Sequence, residues 1–139
     1  MKLNYDLLKN ILLAMEAEDS HLCGNMDLAV KVNIGVSGEG ASAKITDDKL
    51  FENFIGHIRI LNDNNCIECE SPSLGFRQDS SGGWIVAITK YRLTSNGYEF
   101  LDILRNDTVF NKVKNLSIST TLDVGKTLLT QVLTGAMAG

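Results

Sequence analysis

The chain is poor in the features that mark specialised protein classes. It has three cysteines, Cys23, Cys66 and Cys69. An odd count without a secretory leader argues against a disulfide framework. The N-terminus lacks the charged, apolar and small-residue zones of such a leader, and no apolar run approaches the roughly 18 residues of a membrane span. A cytoplasmic protein without a membrane partner is the expectation. Only two histidines are present, His21 and His57, and no carboxylate pair can be placed in a shared apolar pocket. That leaves little for acid–base catalysis, and an enzyme is not expected. Basic runs and basic tails are missing, and the net charge is −4. Nucleic-acid binders draw most of their non-specific affinity from Lys and Arg on phosphates, so composition gives that function no help. Internal repeats, linkers and low-complexity tracts are lacking too, and a single domain over residues 1–139 follows.

What is present suits an ordinary core: 44% of the residues are hydrophobic and 22% charged. Asn4 is placed as the N-cap of an amphipathic helix carrying Leu7, Leu8, Ile11, Leu12 and Met15, ending near Glu18. Asp19 to Asn25 reads as a polar loop. Alternation of Leu28, Val30, Val32 and Ile34 with Asp27, Lys31 and Asn33 predicts a half-buried strand over 27–34. After a glycine- and serine-rich loop from Gly35 to Ser42, Thr46 is placed as the cap of a second helix over 47–63. Leu50, Phe51, Phe54, Ile55, Ile58 and Leu61 form its apolar stripe. Its outward face is predicted to carry Lys49, Glu52, Asn53, Gly56, Arg59 and Ile60. Cys66–Glu70 and Gly83–Leu93 read as the paired strands of a long hairpin, with Pro72, Gly75, Arg77 and Gly82 between them. A closing helix over 121–138 carries Leu122, Leu128, Leu129, Val132 and Leu133. It is expected to dock on the first helix or on a second protomer, as a possible homodimer.

Three motifs suggest chemistry and fall short of it. Cys66-x-x-Cys69 with His21 and Cys23 has the residue types of a zinc set. A strand would point Cys66 and Cys69 to opposite faces, however, and a small apolar cysteine filling a packed position explains each better. Gly125-Lys126-Thr127 has the ending of a phosphate-binding loop, but Thr120 stands where that motif needs glycine. His57 borders the apolar stripe of its helix and is expected to be a hydrogen-bonded structural imidazole. No metal and no cofactor are predicted.

The most informative run is Arg92 to Lys114, predicted as a strand end, a turn at Ser95-Asn96-Gly97, and one long amphipathic helix. Arg92-Leu93-Thr94, Gly97, Glu99-Phe100-Leu101-Asp102, Arg105, Asp107 and Asn111-Lys112 resemble a family of bacterial and prophage proteins, the winged-helix domain of unknown function 2513. The family usually has His at Tyr98 and Trp at Phe110, both aromatic exchanges. The resemblance implies an α+β winged-helix domain (helix, strand, helix, β-hairpin wing, long helix) with an added C-terminal helix, in a bacterial or infected-bacterial cell. It implies no activity. The expected function is a non-catalytic, phage- or prophage-type binding protein acting by protein–protein interaction. By analogy of habitat, its partner would be a host nucleic-acid-targeting defence complex. The alternative is a sequence-specific regulator that binds duplex DNA through Asn53, Arg59 and the wing. Lys49, Glu52, Asn53, Gly56, Arg59, Ile60 and Arg77 are the candidate binding residues under either reading.

Overall fold

A computed structural model describes residues 1–38 and 44–138, the side chains of 133 and 135–138 excepted. The fold is α+β, with six helices and small antiparallel sheets among the described residues. None of these helices is long and apolar enough to cross a membrane. Helix α1, Tyr5–Glu16, starts where expected, with the Asn4 side chain accepting from the Leu7 amide at 3.1 Å. Strand β1, Leu22–Gly24, follows, inside the stretch expected to be loop.

The predicted strand over 27–34 is instead largely helix α2, Asn25–Lys31. Met26, Leu28 and Ala29 are buried there, and Val32 packs partly behind them. These positions satisfy helical spacing as well as the alternation seen at Leu28, Val30 and Val32. So short a segment fits both periods. Buried Asn25 fixes its start. The Asn25 Nδ2 donates to the Ala87 carbonyl at 3.0 Å, and its backbone N–H donates to the Thr89 carbonyl at 2.9 Å. Short strands β2, Val36–Ser37, and β3, Lys44–Ile45, then pair with each other. Strand β2 falls inside the stretch expected to be loop, and the rest of that loop from 39 to 42, like residue 43, lies outside the described residues.

Helix α3, Asp48–Asp63, is capped by Asp47 rather than Thr46. The Asp47 carboxylate accepts from the Lys49 and Leu50 amides, both at 3.1 Å, while the Thr46 amide donates to the Gly35 carbonyl. Of the expected stripe, Phe51, Phe54, Ile55, Ile58 and Leu61 are buried, and Leu50 is exposed.

The hairpin is present in two parts. Strand β4, Ile67–Cys69, pairs with β7, Lys90–Leu93, and β1 joins the other edge of β7 to give the order β1-β7-β4. Further out, β5, Phe76–Gln78, pairs with β6, Trp84–Val86. Between the two parts the chain bends at Leu74 (φ 59°) and Gly75 (φ 85°). A Cβ at Gly75 would collide with Asn25 and with the Ala87 carbonyl oxygen, so the left-handed bend and the close approach both require glycine there. The Tyr91 hydroxyl donates to the Leu74 carbonyl beneath the bend. As a result the outer ribbon folds onto α3, and Phe76 packs edge-on against Phe51 and Phe54 at ring separations of 5.6 and 6.3 Å.

The expected long helix after β7 is two helices, α4, Ser95–Arg105, and α5, Asp107–Val113. The Ser95-Asn96-Gly97 stretch is the first turn of α4, capped by Thr94, rather than a separate turn. Asn106 sits between the helices in extended conformation and accepts from the Val109 amide at 3.1 Å, so it closes one helix and opens the next. The main core joins α1, α2, α3, the sheet and Phe100, Leu101 and Leu104 of α4. Helix α6, Ile118–Ala138, packs chiefly on α4 and α5, whereas the sequence points to the first helix or a second protomer. Ile118 and Leu122 enter the main core. Leu128, Leu129 and Val132 are half-buried against Ile103, Val109 and Val113. Much of the stripe expected to pair protomers is therefore covered within the chain, and the side chain of Leu133 lies outside the described residues.

Candidate functional site: the groove between α3 and the ribbon

The exposed strip of α3 and the folded-back ribbon enclose an open groove of about 510 Å³. Lys49, Glu52, Asn53, Gly56 and Arg59 line it from α3, all of them residues expected on the outward face. Trp84 and Gln78 line it from the ribbon, and Met1 closes one side. Phe51, Phe54 and Ile58 take the inner side of α3, and buried Ile55 borders both core and groove, so helical spacing leaves Lys49, Glu52, Asn53, Gly56 and Arg59 as a connected outer strip. Two expected residues stand elsewhere. Ile60 is half-buried and packs on the core. Arg77 is exposed and pairs across the ribbon with Ile85, whereas its neighbours Phe76 and Gln78 pair with Val86 and Trp84. Alternation along β5 therefore turns Gln78, rather than Arg77, towards the groove.

The Arg59 guanidinium lies over the Trp84 ring, 5.7 Å from its centroid. Such a cation–π contact is worth about 0.5–1 kcal/mol at an exposed position. It links the outer ribbon to α3 and biases a long side chain towards the ribbon. Gly56 lies where the Met1 side chain crosses α3, and a Cβ at that position would strike the Met1 thioether. The five ion pairs among the described residues lie off the groove. They join Lys31 to Glu18, Arg92 to Glu68, Arg105 to Glu16 and Asp102, and Lys126 to Glu99.

His57 sits on the same helix, fully buried. Its Nδ1 donates to the Asn53 carbonyl at 2.8 Å, and its Nε2 accepts from the Asn4 amide at 2.9 Å. Backbone groups of Asn53 and Asn4 thus engage both ring nitrogens of a neutral imidazole. Burial holds its pKa below the ordinary histidine value, partly offset by the Asn53 bond. This geometry pins residues 1–4 against α3 and gives His57 a structural role.

The other sequence motifs stand apart from the groove. Gly125 lets α6 approach Ile103 closely, and Lys126 pairs with Glu99 at 2.8 Å, so the glycine–lysine–threonine run is helix packing. Cys69 and His21 line a separate open groove with Glu68 and Glu70, while Cys66 is buried beside the end of α3. Burial pushes the Cys66 thiol up to about 11. Burial and the nearby Asp27 charge push Cys23 up to about 11 as well.

The molecule is an α+β domain in which a bent ribbon is clasped to an outward-facing helix. Residues 2–123 match the model of the family described as Hypothetical protein (DUF2513), and the chain belongs to that family. No curated protein and no solved structure matches it.

Proposed function

We propose that this chain is a non-catalytic binding protein of winged-helix type, whose groove between α3 and the ribbon takes up a segment of a protein partner. The observation that carries the reading is the Arg59–Trp84 pair, set on a fixed helix beside Met1. Trp and Arg dominate the energetics of protein interfaces, and Met is also enriched there. The order α1, β1, α2, α3 and then the hairpin of β4 to β7 supports the winged-helix assignment, with the short β2–β3 pair inserted ahead of α3. The charge of α3 and its cap favours protein over nucleic acid. Lys49 and Arg59 stand against Asp47, Asp48, Glu52 and Asp63, two positive against four negative, or −2. A host nucleic-acid-handling complex, whose surfaces are basic, suits that balance, and the cytoplasm of a bacterial cell is where the two would meet. The second reading, a sequence-specific DNA-binding regulator, draws on the same element order and on Asn53 and Arg59, which carry base-reading groups.

Fluorescence anisotropy with random duplex at low salt separates the two. The protein-partner reading expects no micromolar binding, and retention of host proteins on immobilised chain after nuclease treatment. Micromolar affinity with a steep salt slope would overturn it.

A further inference from the structure

We infer that Arg59, held on Trp84, is the anchor for a carboxylate side chain, Asp or Glu, on the partner segment. This inference rests on the protein-partner reading above. The contact with the indole, at 5.7 Å, does not use the N–H donors of the guanidinium in hydrogen bonds. Among the described residues those donors meet neither a carboxylate nor any other acceptor. The cations that do form ion pairs among the described residues, Lys31, Arg92, Arg105 and Lys126, are all engaged away from this groove. Lys49, Asn53 and Gln78 line the same space and add donors around it. A planar fork biased towards the ribbon by the ring, and flanked by further donors, suits a carboxylate. Because the ring already restrains the side chain, little of its freedom is lost on binding.

A phosphodiester could satisfy the same fork, but its surroundings count against it. Glu52 lines the groove, and Asp47 and Asp48 lie at the start of the same helix. Duplex DNA presents a charge about every 1.7 Å, so its neighbouring phosphates would meet those acids. A protein segment can present one carboxylate to Arg59 and a Lys or Arg to Glu52. Glu52 and Arg59 are two helical turns apart, so the partner's opposite charges would be spaced by about 10 Å, given a rise of 1.5 Å per residue.

The test is selection of a random 12-residue peptide display library on the full chain, followed by anisotropy titration of the synthesised winners. The winners are expected to share an Asp or Glu. Exchanging it for Asn or Gln, or using the R59A or R59K variant, should weaken binding at least tenfold while circular dichroism stays unchanged. Winners without an acidic residue, or winners that bind R59A as tightly as the parent, overturn the carboxylate anchor. If those peptides are nevertheless lost on Gly56→Trp, which fills the groove, the protein-partner reading stands without the anchor. A library yielding no groove-dependent peptide overturns both, as does low-salt binding of random duplex that disappears in R59A.

Discussion

Replacing Gly97 by alanine sets two known effects against each other, and the structure says which wins. Gly97 is buried in the first turn of α4, where alanine would ordinarily favour the helix by up to about 1 kcal/mol. A Cβ there would press into the Cys66 carbonyl oxygen and come within 3.0 Å of Leu93 Cδ2. The carbonyl cannot turn aside, because it accepts from the Thr94 amide at 3.1 Å. Thr94 in turn caps α4 through the Gly97 amide and donates its hydroxyl to the Asn65 carbonyl. Backbone on both sides is therefore fixed, and no rotamer change relieves the contact. Overpacking of this kind costs typically 1–3 kcal/mol, and the rigid neighbour puts it at the upper end. The net effect is a loss of about 2 kcal/mol, after subtracting the propensity gain. With a urea slope of about 1–3 kcal/mol per molar, the unfolding midpoint should fall by roughly 1 M. Urea titration followed by circular dichroism measures it. A G97A chain as stable as the parent, or more stable, would refute the close seating of α4 on the start of β4.

His57 makes stability depend on pH. Its folded pKa lies below 6.5, so the native state binds fewer protons than the unfolded chain. The stabilisation is fully present above about pH 6.5 and is lost as pH falls through the lowered value. Urea midpoints between pH 7.5 and 5 should decline, and His57→Gln should flatten that decline; an unchanged slope would contradict the neutral, doubly bonded ring. Asn106→Ala should cost about 1 kcal/mol by uncapping α5, whereas Asn106→Asp should retain most of it, both read from urea unfolding. Thiol titration at pH 8 should show one fast cysteine, Cys69, with Cys23 and Cys66 reacting only in denaturant, because burial raises both of their pKa values. Three equally fast thiols in the native protein would contradict the packing of both buried ones.

Periodicity carries the long elements. The apolar stripes of α1 and α3 sit where helical spacing places them, and the paired strands β4 and β7 lie within the predicted hairpin. Short elements escape it. β1 is three residues long and carries no pattern, and α2 reads as a strand because seven residues cannot distinguish the two periods. The break at Asn106 does show in the apolar spacing, because the step from buried Leu104 to buried Val109 is five residues, where one continuous helix would need three or four. A second signal is an asparagine followed by aspartate, which fits an N-cap with an acid in the first turn. At the groove, the outward residues of α3 are legible as the complement of its stripe. Trp84 is not, because its contact with Arg59 depends on the bend at Leu74 and Gly75, a long-range event with no local marker beyond the glycine. Gln78 is within reach of sequence reasoning, since it shares strand parity with the apolar Phe76, and the same parity moves Arg77 away.

The way α3 is held bears on what its exposed strip can do. Its inner stripe is locked in the core, Phe76 of the ribbon packs against Phe51 and Phe54, and His57 fastens residues 1–4 to its flank. A helix restrained on three sides offers a fixed floor, unlike a loop that must order on contact. Because α3 itself stays fixed, the change in affinity on altering Arg59 should come chiefly from weaker interactions within the complex, whereas altering Trp84 would also free the Arg59 side chain before binding. Such effects appear mainly in the dissociation rate, while the net charge of the face governs association. Substituting the acids at the start of α3, Asp48→Asn for instance, would then shift the association rate and its salt dependence, whereas R59A would shorten the lifetime of the complex. If both substitutions altered association alone, Arg59 would be contributing only long-range charge, and the groove would not be where the partner is held.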